Sequence, residues 1–271
     1  MEVSFDMLLP PVPIELSIGA SVRQPKLIEI AKIGFPIFYY YETLLVITPK
    51  DIYEMMMGEK GKDIWDRLSD ERKESISVYD VIESEEWLQK AYLQVFNFFF
   101  DKPVKYLSFD DAGFFVFVKD EEMNIEELDI ENDIYGAISR ESFPHVLDVI
   151  QYVCCMKGDD DEEEDESEIK FKNNKARQIY EKMKKARERK KQARKNDPNF
   201  SLINIISAVS NKHPTISPLN VWDLTIVQLL DCFSRLQFNA IGDLQTVTVA
   251  VWGDEKKQFD PAFWYKNEHD K

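Results

Sequence analysis

Apolar and polar residues alternate through Ile14-Glu15-Leu16-Ser17-Ile18, the two-residue period of a strand with one face inward. After Pro25 the period lengthens. Leu27, Ile30, Ala31 and Ile33 fall on successive helical turns between a proline start and Gly34, which favours a short helix over a second strand. Phe35 to Ile47 is so continuously aromatic and aliphatic that buried helix and buried strand both stay open. Thr48-Pro49-Lys50-Asp51 is a clear helix start, with Thr as cap, Pro at the first position and Asp facing the dipole, and the helix runs to about Met57. Ser84-Glu85-Glu86 repeats that logic ahead of Trp87, Leu88, Ala91, Tyr92, Val95 and Phe96, and Phe98 to Phe100 widen the apolar face, so this helix needs cover on more than one side. A hairpin follows, with strands Tyr106-Leu107-Ser108-Phe109 and Phe114-Phe115-Val116-Phe117-Val118 about a turn at 110–113. Ser139 then caps a helix carrying Phe143, Val146, Leu147, Ile150 and Val153 and ending near Cys155, with Pro144 tolerated in its first turns.

Nine of the ten residues from Asp159 to Glu168 are acidic, which reads as a solvated linker unable to bury apolar surface. Beyond it, Ala176, Ile179, Tyr180, Met183, Ala186 and Ala193 make a thin apolar stripe on a basic helix that Asp197-Pro198 ends. Phe200, Leu202, Ile203, Ile206 and Val209 mark another helix, and Ser217-Pro218 opens a longer one through Leu236. Thr246 to Gly253 reads as a strand by its β-branched content, with helix as the alternative.

Composition narrows the chemistry. A net charge of -16 repels phosphate on average, yet 170–195 holds 13 Lys or Arg against two Glu, a local reversal. Nucleic-acid binding through 170–195 is therefore an alternative, weakened by the lack of an aromatic platform beyond Tyr180. Three cysteines, two of them the adjacent Cys154 and Cys155, fit a reducing compartment and lack zinc or thioredoxin spacing. His145, His213 and His269 sit in no metal or triad motif and read as surface or capping residues. Gly58-Glu59-Lys60-Gly61-Lys62 matches a phosphate loop only in its Gly and Lys, and is better read as a helix exit. The acidic run lacks the ligand alternation of a calcium loop. No signal peptide or membrane span is expected, and no catalytic, cofactor or metal residue is assigned.

Two stretches carry a resemblance. Pro25 to Gly34, and Leu219-Asn220-Val221-Trp222-Asp223-Leu224-Thr225 through Val251-Trp252-Gly253-Asp254 to Phe259-Asp260-Pro261-Ala262-Phe263-Trp264, are similar to uncharacterised proteins of the tail gene clusters of Gram-positive tailed phages and prophages, some described as tail assembly chaperones. The motifs are short, covering the first fifty and last seventy residues or so. The resemblance implies partners among phage tail or virion proteins, with host cytoplasm as the location and retention in the virion left open.

The sequence thus predicts an α+β protein: a mixed region 1–157, an acidic linker 158–173, and a mainly helical region 174–271 that begins with the basic helix. The expected function is non-enzymatic protein-protein interaction in phage tail assembly or architecture, with an accessory nucleic-acid binder and an enzyme of unrecognised site as alternatives. Phe259, Phe263, Trp264 and Tyr265 are the candidate partner-binding residues, because the tail carries more large aromatic side chains than it needs for its own core. Self-association through them is a second option.

Overall fold

In a computed structural model the described residues are 3–109, 112–120, 122, 129, 132–157, 197–254 and 259–266. They belong to two compact units, one through Lys157 and one from Gly158. The acidic run and the basic helix expected at 170–195 lie outside the described residues. The class is α+β: small antiparallel sheets among helices, then a helical C-terminal region.

The first unit begins with α1 (Phe5–Leu8), then a two-stranded ribbon of β1 (Ile14–Glu15) and β2 (Ser21–Val22). The alternation expected over 14–18 survives in the burial, with Ile14 and Leu16 inside and Glu15 and Ser17 outside. Only two residues of it pair as strand. Buried Gln24 fixes the chain entering the unit, its amide donating to the carbonyls of Met7, Pro10 and Val12 at 2.8–3.2 Å.

Helix α2 (Leu27–Ile33) stops at Gly34, whose φ of 92° belongs to glycine's range. Segment 35–47, open on periodicity, is helix α3 (Phe35–Val46), and its buried residues Phe38, Tyr41, Leu44 and Leu45 keep helical spacing. Helix α4 (Pro49–Met57) starts as its sequence demands. Asp51 N donates to Thr48 Oγ1 at 3.3 Å and Thr48 N to Asp51 Oδ2 at 2.9 Å, a reciprocal capping box. Gly58 is the exit of α4 and also leads into α5 (Glu59–Arg67). The two helices cross so closely that a Cβ on Gly61 would lie 1.9 Å from the Tyr53 carbonyl oxygen.

Helices α6 (Asp70–Ser75) and α7 (Val78–Ser84) lead to α8 (Glu86–Phe99). Ser84 does not cap α8. It closes α7, its hydroxyl donating to the Val81 carbonyl, and Glu85 takes the cap position without a side-chain bond. The buried face of α8 is Leu88, Ala91, Tyr92, Val95, Phe96 and Phe99, whereas Trp87 and Phe98, expected on the same face, are half-buried; the fold itself covers it. Phe96 meets Phe115, Tyr92, Phe100 and Phe143 with ring centroids 4.9–6.2 Å apart, while Phe98 packs on Phe38 and Tyr41.

The hairpin is β3 (Val104–Phe109) against β4 (Ala112–Val118), and β5 (Ile134–Ile138), which sequence pattern did not mark, pairs along the other side of β4. Ala112 and Gly113, expected in the turn, belong to β4. Gly113 is there for space, since a Cβ would fall 1.8 Å from the Tyr106 hydroxyl. Helix α9 (Phe143–Val153) closes the unit. Its cap position is Ser142, and Ser139 stands a turn earlier, its carbonyl accepting from Phe143 N.

The second unit has α10 (Leu202–Lys212), a 3-10 turn at Val221–Asp223, α11 (Ile226–Trp252) and a 3-10 turn at Phe263–Tyr265. The long helix starts at Thr225, not at Ser217-Pro218. Thr225 Oγ1 accepts from Gln228 N while Thr225 N donates to Gln228 Oε1, whereas Ser217 is held in a local turn by Asn220 Oδ1. Thr246–Trp252 is helix and not strand. Thr246 and Thr248 return their hydroxyls to the Gly242 and Leu244 carbonyls at 2.8 and 2.7 Å, which settles β-branched residues in a helix.

Candidate interaction surface

The N-terminal half of α11 is a core element. Ile226, Val227 and Leu229 are buried, α10 packs against the helix, and Phe233 meets the Phe200 ring at 6.5 Å. The C-terminal half differs. At 3.6 residues per turn, Phe238, Gly242, Gln245 and Val249 share one side, and Ala240, Ile241, Leu244, Val247, Val251 and Trp252 share another that spans about 140° of the circumference.

The first side is occupied by the 3-10 turn. Phe263 rests on Phe238 with ring centroids 5.1 Å apart, and the Trp264 Cβ passes Gly242 at the distance of ordinary contact. Arg235 Nη1 donates to the Lys266 carbonyl at 2.8 Å, anchoring the end of the turn. Asp260 builds the approach by accepting from Ala262 N through its carboxylate and from Phe263 N through its carbonyl.

Among the described residues nothing covers the second side. Leu244 is 68% exposed, Val247 61%, Val251 64% and Trp252 80%. Asp243 is the sole charged residue from Leu236 to Gly253, so nothing in this stretch favours water strongly. Large exposed apolar patches rimmed by polar surface mark contact sites.

The four aromatic residues singled out from sequence part company here. Phe259 and Phe263 are half-buried, and Phe263 serves the packing of its own unit. Trp264 and Tyr265 meet edge to face with ring centroids 4.9 Å apart and stay 57% and 60% exposed. After the Asp260-Pro261 approach, Phe263 is turned onto Phe238 while Trp264 keeps more than half of its surface exposed. Sequence reasoning missed the α11 stripe because it read 246–253 as strand. The 3-and-4 spacing of Ala240, Leu244, Val247 and Val251 was the signal that could have found it.

Burial raises the Cys154 thiol well above its ordinary value and Cys155 to about 12, with the Glu42 carboxylate adding to both. Cys232 is raised by burial too. All three are therefore thiols rather than thiolates at neutral pH. His213 Nδ1 accepts from Thr215 N and Ile216 N, turning the chain after α10, and His145 is half-buried on α9. His269 lies outside the described residues. Among the described residues no group of three or more His, Cys, Asp or Glu is placed to hold a metal, and no helix is long and apolar enough to cross a membrane.

Residues 189–269 match the family model of the YomV second domain, YomV being a phage-encoded protein. The match takes in α10, α11 and the final 3-10 turn, and it links this part of the chain to a phage protein family. No curated protein and no solved structure gives a match.

Proposed function

We propose that the chain is a non-enzymatic phage protein that works by binding other phage proteins, in tail assembly in the manner of a chaperone or as a virion component, with its C-terminal unit as the contact region. The observation that carries this reading is the open apolar side of α11, together with Trp264 and Tyr265, inside the segment that matches a phage-protein domain. An apolar helix face of this kind suits the helix-in-groove and helix-to-helix modes by which proteins recognise one another. Exposed tryptophan and tyrosine are among the residue types that most often anchor such contacts.

The test is genetic and structural together. An in-frame deletion in the parent phage should yield particles with absent or malformed tails by electron microscopy, restored by the wild-type chain supplied in trans. Chains carrying Leu244→Asp with Val251→Asp, or Trp264→Ala with Tyr265→Ala, should restore them poorly. Normal infectious particles from the deletion would overturn an assembly or structural role.

A further inference from the structure

We infer that the open side of α11 is a seam between copies of this chain, and that the protein self-associates through residues 237–252. The inference deepens the binding role proposed above and rests on it for its biological purpose, though not for its physical argument.

The argument starts from the step pattern. Phe233, Gln237, Ala240, Leu244, Val247 and Val251 follow at steps of four, three, four, three and four, the repeat that lets one helix lie along another. In the first half of α11 this stripe has an internal partner, with Leu229 buried and Phe233 against Phe200. Helix α10 has 11 residues and α11 has 27, so the stripe outruns its cover. The same surface that the unit packs at one end is left bare at the other.

Area and charge select the occupant. Leu244, Val247 and Val251 on the stripe, with Ile241 and Trp252 at its flank, together expose roughly 600 Å², against the about 800 Å² that each side of a standard interface buries, so a symmetric pairing of two copies would reach the size of a small interface. A chain of net charge -16 resists meeting itself over most of its surface. This stretch is the exception, because Asp243 is its only charge and lies at the flank of the stripe. Two copies can therefore meet here with one aspartate each as the only charge, set at the flank and not on the line of contact. An anionic or cationic partner would find nothing to complement. Gln237, one step outside the bare apolar run, can pair with its own counterpart and favour one alignment, as single polar residues do in helical seams.

The experiment uses the purified full-length chain and measures mass in solution by light scattering and by sedimentation at micromolar concentration. The wild type should run at twice the 31.8 kDa chain mass. Leu244→Asp with Val251→Asp should fall to the single-chain mass while far-ultraviolet circular dichroism and the unfolding temperature hold, since both side chains are exposed in one copy. Trp264→Ala with Tyr265→Ala should remain double, because these rings lie off the seam. A wild-type monomer would overturn the inference, as would an oligomer that survives the two aspartates, or a loss of fold showing that the stripe is covered within one copy. None of these results touches the phage phenotype, so a failure here and a failure of the assembly role are told apart.

Discussion

At the scale of single residues, the first unit is pinned by polar groups that sequence inspection sees only as aromatic or neutral. Tyr79 donates its hydroxyl to the carbonyls of Gly113 and Ile138, tying α7 to β4 and to the end of β5. Tyr92 does the same from α8 to the Leu44 carbonyl of α3, and Gln151 from α9 to Leu45. Replacing Tyr79 with Phe leaves buried acceptors short of a partner, and should cost about 1–3 kcal/mol in urea unfolding. A loss within experimental error would mean that the hydroxyl is not holding the sheet. Thr48→Ala should cost about 1 kcal/mol, the ordinary worth of a cap. Burial also raises the Tyr79 and Tyr92 phenols above their ordinary value, as it does Cys154. For groups whose folded values exceed the unfolded ones, the stabilisation is complete below the unfolded values, about 8.5 for a thiol and 10 for a phenol, and drains away as pH rises toward the folded values. The urea midpoint should therefore fall steadily above about pH 9. A midpoint flat through that range would show that these groups ionise freely in the folded chain.

Secondary-structure elements were legible where local chemistry and burial agreed. Thr48-Pro49-Lys50-Asp51 carries its own cap, so α4 could be read directly, and α8 declared its buried face through six spaced side chains. Ser77-Val78-Tyr79-Asp80 has the same box, with Ser77 N bonded to Asp80 Oδ2 at 2.7 Å, yet α7 is too short to show a period. Strand β5 is harder still. Its Gly136 is fixed by a contact distant in sequence, a Cβ there falling 1.9 Å from the Ile18 carbonyl oxygen. The last turns of α11 were misread because β-branched residues suit strands intrinsically, whereas the second unit has no described strand to pair with them. The final 3-10 turn yields a sharp test of which aromatic is structural. Phe263→Ala removes the ring seated on Phe238 and should lower the thermal midpoint of the C-terminal transition, with about 2 kcal/mol or more lost for a half-buried aromatic. Trp264→Ala should leave that midpoint within a degree or so, because the side chain is mostly exposed. Equal losses in the two variants would mean that Trp264 is packed as firmly as Phe263.

Over the whole molecule, the decisive quantity is the separation of charge along the chain. Segment 170–195 carries +11, from 13 basic and two acidic residues, so the remainder of a chain at -16 carries -27. A polyanion approaching the basic segment therefore meets a net repulsive field from the rest of the protein, and the sequence expectation is that the adjoining run 159–168 can compete with phosphate for the same lysines and arginines. Binding that rests on phosphate contacts alone weakens steeply with added salt, since each contact releases counterions. The expected outcome is that fluorescence anisotropy of labelled duplex or single-stranded DNA stays at its free value at physiological salt with the protein in the micromolar range. At low salt a weak rise is allowed, and it should grow when Asp159, Asp160, Asp161 and Glu162 are changed to Asn and Gln, because the internal competitor then keeps only five of its nine carboxylates. Submicromolar binding at physiological salt, abolished when Lys184, Lys185, Arg187 and Lys191 are neutralised, would instead make the basic segment a nucleic-acid site and move the protein's role away from apolar contacts on α11.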